Sequence, residues 1–224
     1  MSRQAAAPTD LDAVQKAARA VHLDIAGAFH PDAEQACPPG TGTLLLLSPH
    51  EPAFWPTFTA SAEYRDGAPD PMDRWSARVI GQLARDLGAK AVFPFGGPPF
   101  HPFYRWALAS GRAWASPVRL LVHETAGLFA SYRGALALPM RLDLPAPPRH
   151  SPCDTCEGRP CLTACPIGAL TADGYDVPSF RAYIAGEPGR DCVESGCAVR
   201  RACPISQRHG RMPKQSAFHM KAFQ

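Results

Sequence analysis

Residues 153–166 read CDTCEGRPCLTACP, and residues 192–204 read CVESGCAVRRACP. As spacings these are Cys153-x2-Cys156-x4-Cys161-x3-Cys165-Pro166 and Cys192-x4-Cys197-x5-Cys203-Pro204. The two segments hold seven of the eight cysteines in a chain of 224 residues; the eighth, Cys37, stands alone in a Cys-Pro-Pro-Gly turn. The opening MSRQAAAPTD lacks the apolar core of a secretory signal. The strongest apolar run, Leu44 to Leu47, is far shorter than the roughly 20 residues of a membrane helix. A cytoplasmic protein is therefore expected, in a compartment where disulfides do not persist, so the thiols need another task.

An iron–sulfur cluster needs thiolates that converge on one small volume, and closely spaced cysteines plus a distant Cys-Pro supply them. The bacterial run C-x2-C-x2-C-x3-C-P keeps both its ends in the first segment here, with two residues inserted in its middle. Where two clusters share such runs, the fourth cysteine of each ligates the other cluster. On that topology Cys153, Cys156, Cys161 and Cys203 hold one complete 4Fe–4S cluster. Cys165, Cys192 and Cys197 remain for a possible second site, one ligand short: a 3Fe–4S centre, a cluster with His209 or Cys37 as fourth ligand, or a relic. Structural zinc is the competing reading, but seven cysteines divide poorly into sites of four thiolates. PIGAL (166–170) is expected to start a helix after Cys165.

Outward from the cysteines, the chain changes character. With 46% hydrophobic and 19% charged residues it is globular, and its 25 prolines mark joints rather than disorder. PMRLDLPAPPRHSP (139–152), with five prolines, reads as a semi-rigid joint. A first domain over 1–144 and a second over 145–224 follow. In the first, TDLDAVQKAARAV (9–21) predicts a helix with Thr9 and Asp12 as a capping box, and LDIAGAF (23–29) a strand. GTLLLLS (42–48) has the length and continuous apolarity of a central strand. Trp75, Val79, Leu83 and Leu87 recur at helical spacing between a capping Asp73 and Gly88. AKAVFPF (89–95) predicts a strand, RWALASG (105–111) a short helix, and 117–123 with 127–138 an antiparallel pair. The fold class is thus α+β, an α/β layer domain followed by a small ferredoxin-like iron–sulfur domain.

The stretch PVRLLVHETAGLFASYRGALALPMRLDLPAPPRHSPC (117–153) resembles the corresponding part of cobalamin-processing (CblC-type) proteins, with His123, Gly127, Arg133 and Gly134 at matching spacing. GTLLLLSPHEPAF (42–54) resembles an early strand of the same family. The overall layout is similar to epoxyqueuosine reductase and, more distantly, to reductive dehalogenases. The resemblance implies a nitroreductase-like domain that binds cobalamin. The chain departs from the reductase in two ways: Phe-Pro-Phe-Gly-Gly-Pro (93–98) replaces its acidic proton-donor loop, and its helical-repeat region is missing. It departs from CblC-type proteins in carrying the cysteine module.

A corrin is broad and flat, and a mostly apolar pocket suits it. Phe93, Phe95, Phe100, Phe103, Tyr104 and Trp106 cluster around one Gly/Pro loop and could line it, or be ordinary core aromatics. His123 is a candidate axial ligand or corrin donor against a default structural role. Arg133 is a candidate phosphate or propionamide binder, or the partner of Asp143 or Glu124. Two functions follow: an iron–sulfur oxidoreductase that binds and reduces or processes a corrinoid, or an electron carrier whose first domain docks a partner enzyme or holds a flavin. FMN is disfavoured by the lack of a Gly-rich loop opening a helix. The partners expected are a corrinoid and an electron-donor protein, with no nucleic acid and no membrane. After Glu194 the only charged side chains are Arg200, Arg201, Arg208, Arg211, Lys214 and Lys221. They read as a solvated face, as compensation for cluster charge, or as a dock for an acidic donor.

Overall fold

The computed structural model describes residues 10–223 and is mixed α+β with small antiparallel sheets. In chain order the main elements of its first half are α1 (Leu11–Ala20), β1 (Leu23–Phe29), β2 (Thr43–Pro49), α2 (Phe54–Thr59), α3 (Ala62–Arg65), α4 (Pro71–Asp86), β3 (Lys90–Val92) and α5 (Phe103–Ala109). There follow β4 (Ala113–Ala115), β5 (Leu121–His123), β6 (Gly134–Leu138), α6 (Val177–Ala185), α7 (Arg190–Ser195), α8 (Ala198–Ala202), α9 (Pro204–Arg208) and α10 (Pro213–Met220).

The residues divide into two compact units. The first is the chain up to Arg112 together with Ser131–Pro147; the second is Ala113–Ala130 together with the chain from Pro148 onward. A single boundary at 144 does not describe this, because Ala113–Ala130 groups with the cysteines rather than with the sheet.

The first unit is built on a four-stranded antiparallel sheet in the order β1-β2-β6-β3. Leu44, Leu45, Leu46 and Leu47 of β2 are all fully buried, as an unbroken apolar run on a central strand requires. Register pairs Leu45 with Leu136 and Leu47 with Gly134. Helix α1 packs on β1, and α4 packs on β3 and β6. Asp10 caps α1 by accepting from the Ala13 N–H at 2.7 Å; Thr9 lies outside the described residues. In α4 the N-cap is Asp70 and Pro71 takes the first turn, so Asp73 sits inside the helix rather than at its cap.

Three further expectations are corrected. First, 117–123 meets 127–138 in the antiparallel His123–Gly127 bridge and not as a strand pair: β5 pairs with β4, while β6 inserts between β2 and β3. The two-way bond between His123 and Gly127 closes a tight turn that ends the β5 hairpin, leaving the apolar GALAL free to join the larger sheet. Second, residues 139–147 are not a free joint. The Thr43 hydroxyl donates to the Met140 carbonyl at 2.9 Å and accepts from the Leu142 N–H at 2.9 Å, tying this segment to the sheet. Third, no helix follows Cys165. Pro166–Gly168 forms a turn, with Gly168 at φ +63, and Leu170 bridges to Tyr175. Cys203-Pro204 does open a helix, α9.

Candidate metal centre

The cysteine site lies wholly within the second unit. Its first loop is fixed at the residue level. The Ser151 N–H donates to Asp154 Oδ2 and the Asp154 N–H to the Ser151 carbonyl, each at 3.0 Å, while the Ser151 hydroxyl accepts from the Cys153 N–H at 3.2 Å. Cys161 sits in a 3-10 turn at Pro160–Leu162, entered through Arg159 in the left-handed region at φ 38. Cys203 caps α9, whose Pro204 occupies the first turn.

These loops bring Cys153, Cys156, Cys161 and Cys203 to the wall of one cavity of about 440 Å³. Val122, Leu128, Pro160 and Ile205 give it apolar sides, and Ser116 also lines it. The thiols share one electrostatic environment. Burial first, then the neighbouring Cys153, Cys203 and Cys156, push the Cys161 thiol up. Burial, with Cys203 and Cys156, pushes Cys153 up against the Ser151 hydrogen bond and Arg159. A cation among them reverses that repulsion, since coordinating thiols are deprotonated outright.

Cys165, Cys192 and Cys197 form the other set, packed in an apolar group with Phe180, Ile184 and Met220. The Ala169 N–H donates to Cys165 Sγ at 3.2 Å, and the Ala198 N–H pulls Cys192 down against burial. Tyr175 is pushed up to about 12, by burial first and then by Cys197, Cys165 and Cys192, with Arg200 opposing. Cys165 and Cys197 also pack against the apolar group that holds Cys153, Cys161 and Cys203, so they stand between the two sets. Among the described residues, no group of three or more His, Cys, Asp or Glu side chains is arranged to grip a metal ion.

Segment 113–130, expected in the first domain, supplies one wall of that cavity. The β4–β5 hairpin pairs Ala113 with His123 and Trp114 with Val122. Beyond it, His123 Nδ1 accepts from the Thr125 N–H at 3.2 Å and the Ala126 N–H at 3.3 Å, which fixes the ring as the stay of its own turn. Gly127 follows at φ +57; a Cβ there would lie 3.0 Å from Cys203 Sγ. The Leu128 N–H donates to the Ser206 hydroxyl at 2.9 Å, and Arg200 donates to the Leu128 carbonyl. The hairpin is thereby clamped against the helix that carries Cys203.

The pocket residues inferred from the resemblance are divided between the two units. His123 and Gly127 belong to the second unit; Phe95, Trp106 and Arg133 belong to the first. Trp106 is fully buried and its indole N–H donates to the Gln35 carbonyl at 2.6 Å, the role of a core aromatic. Phe95 stacks on Phe93 at 5.1 Å between centroids, Phe103 is buried, and Phe100 is 64% exposed. Within the first unit Arg133 pairs with Asp73, in the first turn of α4, at 3.6 Å. Cys37 lies in the first unit, its thiol pushed up to about 11 by burial and by Asp32. His209 follows α9, its N–H donating to the Ser206 carbonyl at 3.1 Å.

Of the basic tail, Arg200 bonds the Leu128 carbonyl, Arg201 pairs with Asp191 and bonds the Gly196 carbonyl, and Arg211 lies 5.3 Å over the Phe129 ring. Half of the tail is thus built into the unit, and Arg208 stands exposed at the cavity. No helix among the described residues is long and apolar enough to cross a membrane. No family model, curated protein or solved structure matches the chain.

Proposed function

We propose that the chain is an iron–sulfur redox protein in which Cys153, Cys156, Cys161 and Cys203 hold a 4Fe–4S cluster. The observation that supports this most is the meeting of these four thiols, drawn from two segments some forty residues apart in sequence, on one apolar-walled cavity. A single zinc ion draws four sulfurs to about 2.3 Å from one point. A cavity of about 440 Å³ lined by four cysteines has room for an occupant made of several irons. Such a cluster supplies one-electron transfer at a potential set by hydrogen bonds to its sulfurs and by solvent exposure.

The chain's own residues do the rest. Val122, Leu128 and Ile205 set apolar wall beside the thiolates, Gly127 leaves room beside Cys203 Sγ, and Arg159 offsets negative charge beside Cys153. Cys165, Cys192 and Cys197 form a second thiolate set for a further centre, with backbone N–H groups already directed at two of the sulfurs.

Anaerobic reconstitution with iron and sulfide, followed by EPR of the reduced protein, tests the reading. Wild-type chain is expected to give a cluster signal that Cys203→Ser loses; a signal unchanged in Cys203→Ser would overturn the ligand set. The corrinoid extends this proposal to the first unit and rests on the family resemblance. Titration with cob(II)alamin addresses it: a base-off cobalt signal supports a corrinoid oxidoreductase. A spectrum of free cobalamin leaves an electron carrier whose first unit docks a partner or holds a flavin.

A further inference from the structure

We propose that the Ser116 hydroxyl donates a hydrogen bond to the sulfur atoms held in the cysteine cavity and thereby favours their reduced state, an assignment that rests on the iron–sulfur reading above. Ser116 follows β4 at the start of the turn to β5. Its backbone is fully used: the N–H donates to the Leu120 carbonyl and the carbonyl accepts from the Arg119 N–H, each at 2.9 Å. The residue is 6% exposed, and it lines the cavity with Cys153, Cys156, Cys161 and Cys203. Its Oγ is buried and has no partner in the protein.

A buried hydroxyl left without a partner costs about 1–3 kcal/mol. Native interiors keep such groups mainly where an ion, a water or a redox centre completes them. The alternatives along the same wall are poor. Val122 and Leu128 carry no side-chain donor, while Thr155 and Arg208, which do, are exposed to water. Ser116 is the buried donor of the set. Adding an electron makes the sulfurs more negative and strengthens an O–H···S bond, so the bond favours reduction and raises the potential.

The test is an EPR-monitored redox titration of reconstituted wild type, Ser116→Ala and Ser116→Thr, with iron and sulfide assayed on each. Ser116→Ala is expected to shift the oxidised-to-reduced ratio about tenfold toward oxidised at fixed potential, about 59 mV for one electron. Its iron content should be that of wild type, and Ser116→Thr, which keeps the hydroxyl, should titrate with wild type. In the iron-free chain Ser116→Ala should melt no lower than wild type, because the hydroxyl it removes has no partner there. A Ser116→Ala protein with full iron and the wild-type potential overturns the assignment and leaves the cluster reading standing. Wild-type chain that takes up no iron overturns both. Where Ser116→Ala does not keep iron, the isosteric pair Ser116→Thr and Ser116→Val carries the same comparison.

Discussion

At Gly127 the backbone stands at φ +57, and a Cβ would lie 2.5 Å from the Ser206 nitrogen as well as 3.0 Å from Cys203 Sγ. The nearer neighbour is backbone, which cannot turn aside as a side-chain tip can. Gly127→Ala should therefore lose about 1–3 kcal/mol from backbone strain alone, with the clash added, and should lower iron retention by displacing Cys203. Thermal melts and iron assays on the variant check both. In the first unit, Glu63 is held at about 2, chiefly by its hydrogen bonds to Arg78. The folded value lies below the unfolded one, so this pair stabilises fully above the ordinary carboxylate range near pH 4.3, and its contribution fades as pH falls from there toward 2. Melting temperatures taken between pH 7 and pH 3 should fall less steeply for Glu63→Gln than for wild type. Arg133 shows how far single residues could be read. Its motif spacing was visible, but its partner, Asp73, is sixty residues away in sequence and carries no local signal.

Strand β2 was legible because an unbroken run of four leucines has few folded fates, and all four are fully buried. Leu46→Ala should destabilise the protein by about 2–5 kcal/mol, read by denaturant unfolding. α1 and α4 were equally visible from their spacing, with N-caps displaced by one and three residues because Asp10 and Asp70, rather than Thr9 and Asp73, precede the helices. Two elements were not legible. The alternation in 127–138 suggested a hairpin with 117–123, but strand pairing is a choice among partners, and β6 found β2 and β3. PIGAL was expected to start a helix after Cys165. Yet Gly168 adopts positive φ three residues after Cys165 and turns the chain away, whereas Pro204 leads into α9. That Cys153, Cys156 and Cys161 lie close together was readable in advance from their spacing. The cavity wall at Ser116, Val122 and Leu128 was not, because nothing local marks 113–130 as belonging with residues after Pro148.

The division of the chain into interleaved units makes a further outcome measurable over the whole molecule. If bound iron contributes folding energy, its removal should loosen the second unit selectively. Hydrogen exchange after anaerobic chelation should then show lost protection in 121–128 and 198–208, with 43–49 and 134–138 still protected. Loss confined to 148–224, with 121–128 unchanged, would contradict the placing of that hairpin in the cysteine unit. The most direct measurement of all is native mass spectrometry of the anaerobically reconstituted full chain, beside Cys153→Ser and Cys203→Ser. The expected result is an added mass of at least one unit of about four irons and four sulfides, reduced by that unit in both variants. One or two zinc ions without sulfide, or an iron–sulfur mass untouched by either substitution, would contradict the assignment of Cys153, Cys156, Cys161 and Cys203 as a cluster site.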